Sequence, residues 1–175
     1  MLTFSLLPKG GIQVMGGSKS FTIFANEEAK TDVTFLQAPE EGIDKENVSW
    51  PGEYDFKGLS VKGIGQQEGQ HVSYRMEDNG VKMAFIAPPL KEWSEEEIGS
   101  LGDIDILVLP AEDVKKVQKL VEKVDPRMIM LVPPAGKKVE NDIIKACGAE
   151  DKETVKEYKL KGALPSEGRE VVVFG

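Results

Sequence analysis

The sequence predicts an α/β protein made of two mixed β-sheets packed face to face with helices outside, and three features of its 175 residues carry that expectation. The N-terminal half is a series of short apolar runs separated by glycine turns, which reads as antiparallel strands. The second half alternates strand and helix, and its strands, 104–109 and 128–132, are apolar almost throughout, as strands covered on both faces are. No repeat, linker or low-complexity stretch separates the halves, so one domain over residues 1–175 is expected.

Taken in order, Leu2 to Leu7, Gly11 to Met15 and Ser20 to Phe24 read as a three-stranded antiparallel meander. Its turns are Lys9-Gly10-Gly11 and Gly16-Gly17-Ser18. Neither glycine pair belongs to G-x-G-x-x-G or a P-loop, so hairpin turns account for both. Asp32 to Leu36 is a fourth strand by its Val-Thr-Phe-Leu content, and Gln37 to Gly42 is a loop by composition. From Ser49 to Ile64 the tight turn Pro51-Gly52 leads into a broken strand bearing Tyr54, Phe56, Leu59, Val61 and Ile64. A bulge or a tight hairpin bend is expected at Gly58. Gly65 to Gln70 is polar and loop-like. His71 to Glu77 and Val81 to Ala87 then form a hairpin across Asp78-Asn79-Gly80, stopped by Pro88-Pro89.

Ser94 with Glu97 makes a capping box, and Glu95, Glu96 and Glu97 place acids in the first turn of a short helix to Leu101. Such a run is a solvated helix start before it is a metal or partner patch. Ala111 to Val124 carries Val114, Val117, Leu120, Val121 and Val124 at helical spacing. Placed between strands 104–109 and 128–132, that helix implies a right-handed parallel crossover. Val139 to Cys147 reads as a helix ended by Gly148, Glu150 to Glu157 as a short helical turn, and Tyr158 to Leu160 and Glu170 to Phe174 as terminal strands.

A formal charge of -8 with no basic stripe argues against a nucleic-acid partner, since that binding needs clustered Lys and Arg. The apolar run Met1 to Leu7 is halted by Pro8-Lys9-Gly10-Gly11, so neither a signal peptide nor a membrane span is expected. With a single cysteine, Cys147, no internal disulfide forms, and a cytoplasmic location is expected. Cys147 sits on the apolar face of its helix near the C-terminal end, where the dipole disfavours a thiolate, so a packing role is expected.

Three segments in the correct order carry a family resemblance. They are Pro51-Gly52-Glu53-Tyr54 followed by Lys57-Gly58 and Gly63-Ile64, then Leu101-Gly102-Asp103-Ile104-Asp105-Ile106-Leu107, then Leu164-Pro165-Ser166-Glu167-Gly168 before Val171-Val172-Val173. Together they resemble the metallo-β-lactamase-like hydrolases, in particular their compact bacterial and archaeal branch. The resemblance implies a four-layer α/β/β/α sandwich. It also implies one or two metal ions, usually zinc, held at the sheet edges by a His-x-His-x-Asp-His loop, two further histidines and an aspartate.

On this chain that loop falls after the strand Asp32 to Leu36. Its first two histidines correspond to Gln37 and Pro39, its aspartate to Glu41 and its last histidine to Gly42. The later aspartate falls at Pro88 and the final histidine at Pro133, so of these positions Glu41 alone still offers a carboxylate. A catalytic zinc takes about three protein ligands, mostly His or Cys, and the chain has one of each. No EF-hand-like spacing of oxygen ligands occurs either. The expectation is a degenerate member without metal or cofactor, whose vestigial cleft is formed by Gln37, Pro39, Glu40, Glu41, Gly42, His71, Pro88 and Pro133.

The leading functional expectation is a catalytically inactive pseudoenzyme that acts through an unknown protein partner or by self-association. A hydrolase with its cleft rebuilt around Glu40, Glu41, Glu53, Asp55 and His71 is the alternative from a different class, and a small-ligand-binding protein is a third. His71 is the one side chain that titrates near neutral pH and stands where a remnant of the family's middle histidine would be, although a surface or strand-end role is the plainer reading. Trp50 and Trp93 flank proline-rich loops, where either a core or an interface anchor is expected. Pro39, Pro88-Pro89 and Pro133-Pro134 lie at or beside three of the expected ligand loops. They predict a shallow proline-lined surface at one end of the sandwich.

Overall fold

In the computed structural model the described residues are 1–28, 30–42 and 46–175. The N-terminal half forms β1 (Leu2–Leu6), β2 (Ile12–Gly16), β3 (Lys19–Ile23), β4 (Val33–Phe35), β5 (Asn47–Val48), β6 (Gly52–Phe56), β7 (Leu59–Gln66), β8 (His71–Asp78) and β9 (Val81–Phe85). Helix α1 (Glu95–Leu101), β10 (Ile106–Pro110), α2 (Val114–Val124), β11 (Met128–Val132) and α3 (Asn141–Ala146) follow, and β12 (Thr154–Val155), β13 (Glu157–Leu160) and β14 (Glu170–Phe174) close the chain.

Two mixed sheets result, one in the order β13-β1-β2-β3-β4-β5 and the other in the order β12-β14-β11-β10-β9-β8-β7-β6. The meander β1-β2-β3 is antiparallel as expected, whereas β4 joins β3 in parallel, with Phe21 opposite Val33. Strands β9, β10, β11 and β14 are mutually parallel neighbours, and α2 makes the crossover from β10 to β11. The inner faces meet through Phe4, Val14, Phe21 and Phe35 on one side and Tyr74, Met76, Phe85 and Met130 on the other, all buried. Phe21 meets Phe35 and Phe85 edge-on, with centroids at 5.7 and 6.3 Å, an arrangement aromatic pairs favour.

A second apolar layer lies on the outer face of the larger sheet. There Leu107, Leu109, Ile129 and Leu131 pack against Leu101, Val117, Leu120, Ile143 and Ile144 of the helices. Strands β10 and β11 are therefore covered on both faces, which is why their sequences are continuously apolar. Each residue step along them feeds alternate layers.

The smaller sheet is different. Its outward residues include Thr3, Ser5, Gln13, Ser20 and Thr34, and none of α1, α2 or α3 packs on that face. The two face-to-face mixed sheets and the external helices are as expected. The described helices pack on the outer face of the larger sheet, while the outer face of the smaller sheet is mostly polar, with Met15 of β2 52% exposed on it.

One element is corrected. The helical turn expected over Glu150 to Glu157 is instead irregular through Glu153 and then strand, with β12 pairing in parallel with β14 and Glu157 opening β13. The charged residues' modest helix preference loses to ladder bonds on both sides. Gly175 N–H donates to the Val155 carbonyl at 3.0 Å, and Leu6 N–H donates to that of Lys156 at 2.8 Å, so the chain changes sheets at Lys156.

The Ser49 to Ile64 signature has a local physical cause. Lys57 and Gly58 both take positive φ, 48° and 80°, between the paired Phe56 and Leu59, which makes a two-residue hairpin and not a bulge. The Pro51 turn lies flat on β7. A Cβ on Gly65 would stand 2.9 Å from Pro51 Cγ, so the glycine is needed for the close approach. Among the described residues no helix is long and apolar enough to cross a membrane.

Candidate functional site

The parallel strands β9, β10 and β11 end at Phe85, Pro110 and Val132, with Pro88 and Pro133-Pro134 just beyond the first and last, and a cleft of about 160 Å³ opens between those ends and the smaller sheet. The facing wall is the Gly10-Gly11 turn of β1-β2, with Ile23 and Phe24 at the end of β3. Ligands of α/β sheets gather at the carboxyl ends of parallel strands, because the loops leaving them are free to vary while the sheet holds their roots. Phe24 closes the back. It has a positive φ of 55°, an uncommon setting for an aromatic residue, and its backbone N–H is fixed by the Phe35 carbonyl at 2.9 Å.

Pro88 and Pro133 line this cleft together, whereas Pro39 is not part of its wall. Gln37 is half-buried, and its carbonyl accepts the Val72 N–H at 2.8 Å, which ties the loop after β4 to the first residues of β8 at the same end of the sandwich. Glu40 is stapled into that loop. Its N–H donates to Ser49 Oγ at 3.1 Å, its Oε1 accepts from Asn47 Nδ2 at 3.1 Å, and its carbonyl accepts from Trp50 Nε1 at 3.2 Å. Glu41 and Gly42 are exposed. Glu53 and Asp55 are exposed on β6, opposite Lys62 and Ser60, far along the sheet order from the β9-β10-β11 ends.

His71 opens β8 and is only 6% exposed, so it is a strand-end histidine and not a surface one. Its Nε2 lies 3.1 Å from the Ala87 carbonyl and donates to it, fixing the tautomer. Burial pulls its pKa below the ordinary value of 6.5, and the Ala87 carbonyl opposes that only in part, so the ring is neutral at pH 7. Cys147 is buried beneath α3 on the far side of the larger sheet, and burial pushes its thiol up to about 11. Trp93 is buried in the helix layer, and Trp50 is 54% exposed, so the two tryptophans divide between core and surface.

Of the expected cleft residues only Pro88 and Pro133 line this cleft, and among those that escaped the sequence reading are Phe24, Asn26 and Glu112. Glu112 leaves β10 just after Pro110, and its Oε2 accepts the Leu90 N–H at 3.1 Å. An acid two residues beyond a continuously apolar parallel strand is the signal that marks it, by the same carboxyl-end rule, although Asp113 beside it, the N-cap of α2, carries the same signal. Nothing in the spacing links residue 24 to residue 112, because they come from different sheets.

No family model matches the chain, and no curated protein matches it in sequence. Solved structures do match in shape. A Thermotoga maritima protein assigned to the Zn-dependent hydrolases of the metallo-β-lactamase superfamily superposes with a TM-score of 0.78 over 98% of both chains at 14% identity. The metallo-β-lactamase fold protein YhfI of Bacillus subtilis gives 0.66 over 100% of this chain and 98% of its own at 9% identity. Igni18, a metallo hydrolase of the archaeon Ignicoccus hospitalis, gives 0.59 over 91% of this chain and 99% of its own at 11% identity. The chain has the metallo-β-lactamase fold.

The residues at the corresponding loops do not fit a zinc centre. Among the described residues no group of three or more His, Cys, Asp or Glu side chains is gathered to hold a metal ion. His71 Nε2 is engaged with the Ala87 carbonyl, and the proline rings at Pro88 and Pro133 carry no metal-binding atom.

Proposed function

We propose that this chain is a non-catalytic metallo-β-lactamase-fold protein, a pseudoenzyme, that acts by binding, with the cleft between the sheet ends as its binding site. The observation that supports this most is the pairing of Pro88 and Pro133 in an apolar wall at the loops where the resemblance implies metal ligands. A wall of proline, phenylalanine and valine favours burial of an apolar group and contributes no general acid, base or Lewis acid beyond Glu112. The test is to purify the protein without chelator, equilibrate it with zinc, manganese or iron, remove free ion and measure retained metal. Hydrolysis of lactam, ester, thioester and phosphodiester probes is measured in parallel. Substoichiometric metal and no turnover are expected; stoichiometric metal with turnover abolished by chelation overturns the proposal.

The exposed indole of Trp50 favours a second reading, contact with a protein partner or a second copy. The indole Nε1 donates to the Glu40 carbonyl at 3.2 Å, and the Tyr54 hydroxyl fixes the Trp50 backbone by donating to its carbonyl at 2.7 Å. A concentration-dependent sedimentation coefficient that Trp50→Ala abolishes supports self-association, and a monomer at all concentrations removes that form of it. A lone buried cysteine suits a reducing compartment, and the cytoplasm is the setting proposed.

A further inference from the structure

The electrostatics of the cleft say more than its shape. Among the described residues its wall carries one charged side chain, Glu112, and one other polar side chain, Asn26, with no lysine, arginine or histidine. The Leu90 N–H holds Glu112 Oε2, which pins the carboxylate to the wall, and among the described residues no hydrogen bond or ion pair engages its second oxygen. Asn26 Nδ2 donates one of its two hydrogens to the Lys9 carbonyl at 2.9 Å, so its amide still offers an N–H as well as an oxygen and selects for neither donors nor acceptors. Glu112 therefore offers the cleft an acceptor and no donor, and a ligand that matches it must bring a donor.

Charge points the same way. An anionic group entering this cleft would meet Glu112 with no cation on the wall to offset it, in a chain of net charge -8. A protonated amine would pair with the carboxylate in surroundings drier than bulk water, where a charge-assisted bond is at its strongest. The volume, about 160 Å³, is close to that of a cavity that accepts one benzene ring, so the apolar part is one ring or a branched chain of similar bulk.

We propose that the cleft binds a small apolar amine, its ammonium on Glu112 and its ring or branched chain among Phe24, Phe85, Val108 and Pro133. This deepens the binding reading above and rests on it. The experiment is amide-resolved NMR titration of the whole chain with benzylamine, benzyl alcohol and benzoate at neutral pH. Benzylamine is expected to shift the amides of Phe24, Val108 and Ala135 and to bind about tenfold tighter than benzyl alcohol, with benzoate weakest. Glu112→Gln keeps an oxygen for the Leu90 N–H and is expected to erase the preference for the amine while leaving the alcohol unchanged. Val132→Phe, which fills the cleft, is expected to abolish all three.

Equal binding of amine and alcohol to the native chain, tightest binding by benzoate, or an amine preference that survives Glu112→Gln overturns the amine assignment and leaves the cleft-binding proposal standing. If none of the three probes shifts any cleft amide, the cleft-binding proposal falls and takes this inference with it.

Discussion

His71 and Cys147 are the chain's single histidine and single cysteine, and burial decides what each can do. For Cys147, a thiol pushed up to about 11 and 2% exposed stays protonated and packed. For His71 the consequence is a pH dependence with a definite sign. Its folded pKa lies below its unfolded value of 6.5, so the unfolded chain takes up the proton first as pH falls. The stability that the neutral ring contributes is thus complete above pH 6.5 and is lost as pH drops through the folded pKa. The Cε1–H and Cδ2–H resonances of this one imidazole should titrate with a common midpoint below 6.5, and the denaturant midpoint should begin to fall just below that pH. A His71→Gln variant should lose that inflection. A resonance midpoint at or above 6.5 would contradict the account. Tyr74 acts in a different way, since its hydroxyl hydrogen is shared between the Leu36 carbonyl at 2.6 Å and the Val48 carbonyl at 3.0 Å, bonding one sheet to the other. Burial pushes its pKa up, so it does not ionise under ordinary conditions.

The β6-β7 hairpin shows what an element's sequence discloses and what it hides. Gly58 has φ 80° with open space around it, so Gly58→Ala should cost only the backbone penalty, about 1–2 kcal/mol. Gly65 has ordinary φ and a proline ring 2.9 Å from the Cβ it lacks, so Gly65→Ala should cost about 1–3 kcal/mol by overpacking and should also displace the Pro51 turn that carries Trp50. Chemical denaturation with Ser60→Ala as a control on the exposed face would read both costs. A Gly65→Ala variant as stable as the control would show that the turn is not seated on β7. The hairpin was readable because turn chemistry is local. The same holds for the Ser94 capping box, in which Glu97 N–H donates to Ser94 Oγ at 3.1 Å and Ser94 N–H donates to Glu97 Oε1 at 3.0 Å. Strand β12 was not readable, because Thr154 and Val155 are strand only by virtue of β14, a partner about twenty residues away that local preference cannot see.

At the scale of the whole molecule, the loops where the resemblance implies metal ligands leave strands of two different sheets, β4 in one and β9 and β11 in the other. That the ligand set was incomplete was readable from residue types alone, since zinc donors are side chains and there is one histidine and one cysteine to supply them. That a cleft persists between the sheets was not readable, because its walls, Phe24 and Glu112, are brought together only by sheet packing. A test of this division is the fourfold variant Gln37→His, Pro39→His, Glu41→Asp and Gly42→His, which restores the family's loop pattern on one sheet only. Pro88 and Pro133 still occupy the opposite ligand positions, and the backbone at positions 37 and 40 remains tied by the Val72 and Ser49 bonds that shape the loop. Two or three loop histidines with no completing ligands and no supporting hydrogen bonds around them leave zinc largely solvated. The fourfold variant should therefore hold zinc no better than about micromolar in competition with a chromophoric chelator, the range of surface histidine pairs and well short of a structural site. Adding Pro88→Asp and Pro133→His should tighten it by about tenfold or more, because ligands from the second sheet then close the cleft around the ion. Stoichiometric, chelator-resistant zinc in the fourfold variant alone would show that one sheet suffices, and that the prolines of the other are not what keeps the metal out.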